Sequence, residues 1–129
     1  MCLVKTHELP KISEEEIKVY KVLLHSANFG LFTPYMKEEV KDMKLEAKHP
    51  YTDTVSLPFL EGEGVHAFVN PKKALVEWLY WGNYYAGTSV TPKIYKAIIP
   101  PKTPYWEGRK EDGDIAATKL LIKEEILRI

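Results

Sequence analysis

A single imidazole, His66, sits in the middle of Val65-His66-Ala67-Phe68-Val69, which has the alternation of a core strand and follows Gly62-Glu63-Gly64. With an ordinary pKa near neutrality, it can exchange a proton at physiological pH or bind an anion or a ligand hydroxyl. The preceding glycines permit close backbone approach, which makes Gly64 a candidate for contact with a ligand. Later in the chain, Glu107, Glu111, Asp112 and Asp114 gather near a polar turn, and one of them facing His66 would supply the carboxylate of an acid/base pair. The plainer alternatives are a hydrogen-bonded structural histidine and a solvated acidic hairpin loop.

Other chemistries lack their residues. His7, His25 and His49 are scattered without His or Cys partners at ligand spacing, so no metal site is expected. Gly-Glu-Gly lacks the remaining glycine of a dinucleotide fingerprint and precedes a strand instead of joining a strand to a helix. Ser56, Thr88, Ser89 and Thr91 offer hydroxyls, but no Gly-x-Ser-x-Gly elbow exists to expose one as a nucleophile. Trp78, Tyr80, Trp81, Tyr84, Tyr85, Tyr105 and Trp106 could stack on a base or nicotinamide ring, although helix-spaced aromatics are mainly core. Tyr84 and Tyr85, beside a glycine-containing turn, are the ligand-facing candidates among them.

The elements that would position these residues are short, because nine prolines punctuate the chain. Ser13-Glu14-Glu15-Glu16 resembles a capping box, yet the β-branched and aromatic content of 17–24 favours a strand there. Residues 29–35 read as a turn plus a short extended piece, and the charged segment 36–48 stays open between strand and helix. His49 to Asp53 is a surface connection leading through Pro58 to the glycine pair. The best-marked element is a helix over about 71–81, with Asn70 as N-cap, Pro71 at the first position and Gly82 as a left-handed terminator. Ala74, Leu75, Trp78 and Leu79 form its apolar stripe, and Lys72, Lys73 and Glu77 its solvated side. Gly87 to Pro92 is a loop. Strands follow over 94–99 and 104–107, and a last one over about 115–126, where a helix is the alternative.

With 129 residues, 45% hydrophobic and 28% charged, one domain spanning 1–129 is expected, with 1–12 a partly ordered N-terminal segment. Eighteen basic residues balance eighteen acidic ones, which removes the overall positive field of a dedicated nucleic-acid binder. The lone cysteine, Cys2, allows no internal disulfide, and neither a leader-like nor a bilayer-spanning run is seen, so a cytoplasmic protein without membrane contact is expected. The fold class expected is α+β: a mostly antiparallel, strand-rich, two-sheet core with one helix packed on it.

Met1-Cys2-Leu3, Pro10-Lys11-Ile12, Val19 to Leu23, Thr33-Pro34-Tyr35, Gly64 to Phe68, Ile98-Ile99-Pro100, Tyr105 to Gly108 and Asp114-Ile115-Ala116 together resemble small phage or prophage-type proteins of gut Bacteroidetes. That resemblance spans nearly the whole chain and implies a non-catalytic accessory or ligand-binding domain. Gly64 to Phe68 followed by Pro71-Lys72-Lys73-Ala74 is also similar to the glycine-led strand and helix that enclose NAD in ADP-ribosyltransferases. The second resemblance implies NAD as cofactor and one cleft lined by Lys21 or Tyr20 on a first strand, His66 on a second and Asp114 on a later one. Each differs from the family's usual Arg or His, Tyr or Ser, and Glu, so it implies a transferase or a binding remnant of one. A third alternative is a protein-interaction module using the aromatic surface near Tyr84 and Trp106. The partner is then a protein, or a small molecule in the first two cases.

Overall fold

The computed structural model describes residues 10–34, 39–47, 65–108 and 113–126. Gly62, Gly64, Cys2, His7, His49, Glu111, Asp112, most of the N-terminal segment and the 49–58 connection lie outside the described residues. The elements are β1 (Lys11–Ile12), β2 (Ile17–Ser26), β3 (Gly30–Phe32), β4 (Lys44–Glu46), β5 (Val65–Phe68), α1 (Pro71–Tyr84), β6 (Thr91–Ile99), β7 (Pro104–Glu107), β8 (Asp114–Ala117) and β9 (Lys119–Ile126). The strands pair antiparallel in one nine-stranded sheet, ordered β1-β7-β8-β5-β2-β6-β9-β4, with β3 folded back on β2. The α+β, strand-rich, antiparallel character is as expected. The two-sheet core is not: the strands belong to a single sheet.

How one sheet encloses a core follows from its connectivity. β8 and β9 are consecutive in the chain, broken only at Thr118, yet β5, β2 and β6 lie between them in the sheet. In a flat sheet four strand spacings would separate them by about 19 Å. Ala117 and Lys119, two residues apart, span no more than about 7 Å. The sheet therefore curls until the end of β8 meets the start of β9, and the expected single strand over 115–126 is in fact two. Thr118 ties the corner to both neighbours, its amide donating to the Pro104 carbonyl at 3.1 Å and its carbonyl accepting from the Ala47 amide at 2.9 Å.

Inside the curl, Val19 and Leu23 of β2, Leu45 of β4, Val65 and Ala67 of β5, Ala97 and Ile99 of β6, Ile115 and Ala117 of β8, and Leu120 and Ile122 of β9 form one buried cluster. The odd positions of β2 face this interior, while Tyr20, Val22 and Leu24 face outward and are covered by α1. A bulge where Lys96 pairs with Glu124 but Ala97 pairs with Ile122 switches the phase of β9. Leu120 and Ile122 consequently point inward and Ile126 joins the outer cluster.

The helix begins as the sequence indicates, the Asn70 side chain accepting from the Lys72 amide at 2.9 Å. Its end differs. Gly82 lies within the helix, which runs to Tyr84 and is capped by Tyr85, whose amide donates to the Trp81 carbonyl. The left-handed residue is Gly87, with φ +80°. Ala74 and Trp81 are buried and Leu75, Trp78 and Tyr85 pack beside them, whereas Leu79 is 52% exposed and leaves the expected stripe. Of the open segment 36–48, the described part contains strand β4.

Ser13 does not cap a helix. Its buried side chain donates to the Pro100 carbonyl at 2.6 Å and accepts from the Thr103 amide at 2.9 Å, fastening the chain before β2 to the turn after β6. Ser13→Ala leaves these buried groups without their partner, so urea denaturation should show a stability loss of about 1–3 kcal/mol. A loss indistinguishable from zero would mean that the clamp is dispensable.

Candidate functional site

Tyr20, Phe68 and Asp114 lie side by side on three adjacent strands, since Tyr20 pairs with Phe68 and Phe68 with Asp114. His66 is opposite Ala116, which is opposite Trp106. Cross-strand partners share a face, so Tyr20, His66 and Asp114 are all on the outer, helix-bearing face. His66 and Asp114 are diagonal neighbours, with Cα atoms about 7–8 Å apart in that arrangement. Asp114 opens β8 directly after Gly113, whose φ is +66° and whose carbonyl accepts from the Val69 amide at 2.8 Å. A Cβ at position 113 would come within 3.2 Å of the Asn70 Cβ, so the absence of a side chain lets the strand start lie against the helix cap.

Lys21 alternates to the inner face and is separated from Tyr20 by the sheet itself. Its ammonium donates to the backbone carbonyl of His66 at 2.6 Å. Nine Cα pairs, from Ile17 with Ile99 to His25 with Thr91, join β2 to β6, but among the described residues only Tyr20 with Phe68 joins β2 to β5. Lys21 thus bridges a narrow seam where a ladder bond would otherwise stand.

That ammonium also shapes the imidazole. Burial, and after it the charge of Lys21, pushes the His66 pKa down to about 3. At neutral pH the ring is uncharged and a weak base, able to hold a hydrogen bond but poorly matched to proton abstraction.

The aromatic candidates separate as well. Trp106 is fully buried and belongs to no surface. Tyr84 is 65% exposed, whereas Tyr85 is half-buried and stacks on Trp81 with ring centroids 5.9 Å apart. Both stand at the far end of α1, about 20 Å along the axis from the cap beside Phe68. Of the proposed site, Tyr20, His66 and Asp114 come together on the outer face, Lys21 reaches the His66 backbone from the inner face, Tyr84 and Tyr85 lie at the far end of α1, and Gly64 is outside the described residues.

Two further groupings arise only in the fold. Lys93 and Glu125 pair at 3.4 Å on the inner face beside Tyr95, whose phenol pKa is raised by burial and by Glu125. Val76, Leu79 and Tyr80 join Tyr84 as large apolar side chains open to solvent on α1. Their spacing was legible on a helical wheel, but not which face of an all-round apolar helix would be covered. Among the described residues no three His, Cys, Asp or Glu side chains are grouped to hold a metal, and no helix is long and apolar enough to cross a membrane.

The fold is that of an α+β domain built from one curled antiparallel sheet with a single helix on its outer face. Comparison with protein-family models, curated proteins and solved structures finds no match.

Because its folded pKa lies below the ordinary 6.5, protonation of His66 favours the unfolded chain. Its share of stability is complete above pH 6.5 and declines as pH falls toward 3. Between pH 7 and pH 5 the loss should be on the order of 2 kcal/mol. Urea midpoints at the two pH values should show it in the natural chain and much less of it in His66→Gln; equal slopes would refute the assignment.

Proposed function

We propose that this protein is a non-catalytic binding domain that docks a partner protein through the outward face of α1. The observation that carries this is the exposure of Val76 (63%), Leu79 (52%), Tyr80 (55%) and Tyr84 (65%) along one side of a helix whose other side is packed on the sheet. At 100° per residue these four fall within one arc, so they form a contiguous strip and not scattered surface apolar residues. Tyr80 and Tyr84 stack at 6.5 Å between centroids, which gives the strip a stiff aromatic centre. Aromatic side chains of this kind anchor protein interfaces, because they bring large contact area at small entropic cost.

An accessory role of the sort that the phage-type resemblance implies needs a binding surface and no reaction. The NAD-using alternative needs its cleft residues on one side of the sheet. Tyr20, His66 and Asp114 do share the outer face, but Lys21 faces inward and the neutral His66 ring has little basicity to offer, which favours the binding role.

Photocrosslinking in cells provides the test. Tyr84→p-benzoylphenylalanine should give a discrete, light-dependent protein adduct, and the same substitution at exposed Lys18 on the sheet should not. Leu79→Asp, at an exposed position where stability should change by no more than about 0.5 kcal/mol, should abolish the adduct. Absence of any adduct from both position 80 and position 84 would sink the proposal.

A further inference from the structure

Resting on that docking role, we infer that the occupant of the α1 face is a short acidic amphipathic segment of a partner protein. Three features of the face select this chemistry. First, Lys72 and Lys73 are both exposed and, at helical spacing, fall in the same arc as Val76, Leu79, Tyr80 and Tyr84, one turn nearer the N-terminus. The strip is therefore apolar at its centre and doubly cationic at one end.

Second, among the described residues neither lysine is held in an ion pair, although Asp114 opens β8 beside the helix cap. The first turn carries no acidic residue. The one carboxylate of α1, Glu77, is half-buried and accepts from the Trp81 indole nitrogen at 2.9 Å, on the edge of the packed side. The lysines add to the positive end of the helix dipole, so carboxylates of an incoming chain gain from both.

Third, size sets the kind of occupant. Fourteen residues make a rod about 21 Å long. Four side chains between half and two-thirds exposed offer well under the ~800 Å² per partner of a standard interface between folded proteins. A self-pair through this strip is undersized in the same way, and in parallel orientation it sets lysines against lysines. An amphipathic helix laying Leu or Phe at i, i+3, i+4 and i+7 on Val76, Leu79 and Tyr80, with Glu or Asp reaching Lys72 and Lys73, matches both length and charge.

Fluorescence anisotropy with two designed peptides tests this on the full chain. Each labelled peptide has roughly 15 residues, enough for a marginal helix, with Leu at i, i+3, i+4 and i+7. One carries Glu at the remaining positions and the other Lys. The Glu peptide should bind at least about fivefold tighter at low ionic strength, and the gap should shrink as salt rises. Lys72→Glu with Lys73→Glu should invert the preference, while Tyr80→Ser with Tyr84→Ser should remove binding of both peptides. Thermal melting of each variant within a few degrees of the natural chain confirms that the fold persists.

Equal binding of the two peptides that still disappears in the tyrosine double variant would overturn the acidic assignment and leave the docking face standing. Self-association in sedimentation that is lost in the same variant would overturn it in favour of a second copy. Binding of neither peptide while position 84 still crosslinks a protein would also overturn it. In each case the crosslinking result reports separately on the docking role.

Discussion

The turn of one residue at Thr118 dictates the shape of the molecule. β8 and β9 follow each other almost without interruption but belong to strands on either side of β5, β2 and β6, and a covalent chain cannot stretch across that width. The sheet must roll, and once rolled it has an inside. Small and branched side chains at alternate positions, Ala67, Ala97, Ala117, Val19 and Ile115 among them, fill that inside at close approach. A second sheet is unnecessary, because the first is its own partner. The bulge at Lys96 and Ala97 serves the same end, turning the last part of β9 outward after its first part has packed inward.

Rolling leaves a weak line. β2 and β5 share one residue pair, and next to it a lysine ammonium takes the place of a backbone donor to hold the His66 carbonyl. A charged donor makes a stronger hydrogen bond than an amide, which suits a place where the ladder is thin. The same charge, with burial, keeps the neighbouring imidazole neutral. Lys21 thus closes the seam from the inner face, and His66 borders it on the outer.

The outer face needs only a narrow cover, and α1 supplies it with Ala74, Trp81 and their neighbours. The helix is more apolar than this task requires. Its remaining surface combines Val76, Leu79, Tyr80 and Tyr84 with two lysines and is costly to leave in water, which is the physical ground for assigning it a partner. Tyr20, His66 and Asp114 thus lie toward the helix cap, and the open apolar strip of α1 runs away from them along the same face of the sheet.

Local sequence alone was enough for β2, for β6 from 94 onward, for β7 and for the start of α1, because alternation, β-branching and an Asn-Pro cap act over a few residues; that β6 already begins at Thr91, in what reads as loop, depends on its pairing with His25. Local sequence was also enough to set Tyr20 and His66 on strands, whereas Asp114, at the end of what reads as a polar turn, opens β8. It did not reveal that Gly82 would stay helical, that Leu79 would face water or that 115–126 would break at Thr118. Each of these depends on what lies across from the residue rather than beside it: a side chain at Gly82 would reach Pro92, whose carbonyl accepts from the Trp78 indole, Leu79 is left half exposed, and Thr118 bonds to Pro104 and Ala47. Which faces Lys21 and His66 occupy, and that one sheet closes on itself instead of pairing with another, was decided only by tertiary structure. Periodicity states that a strand has two sides, but the register of its neighbours determines which side is the interior.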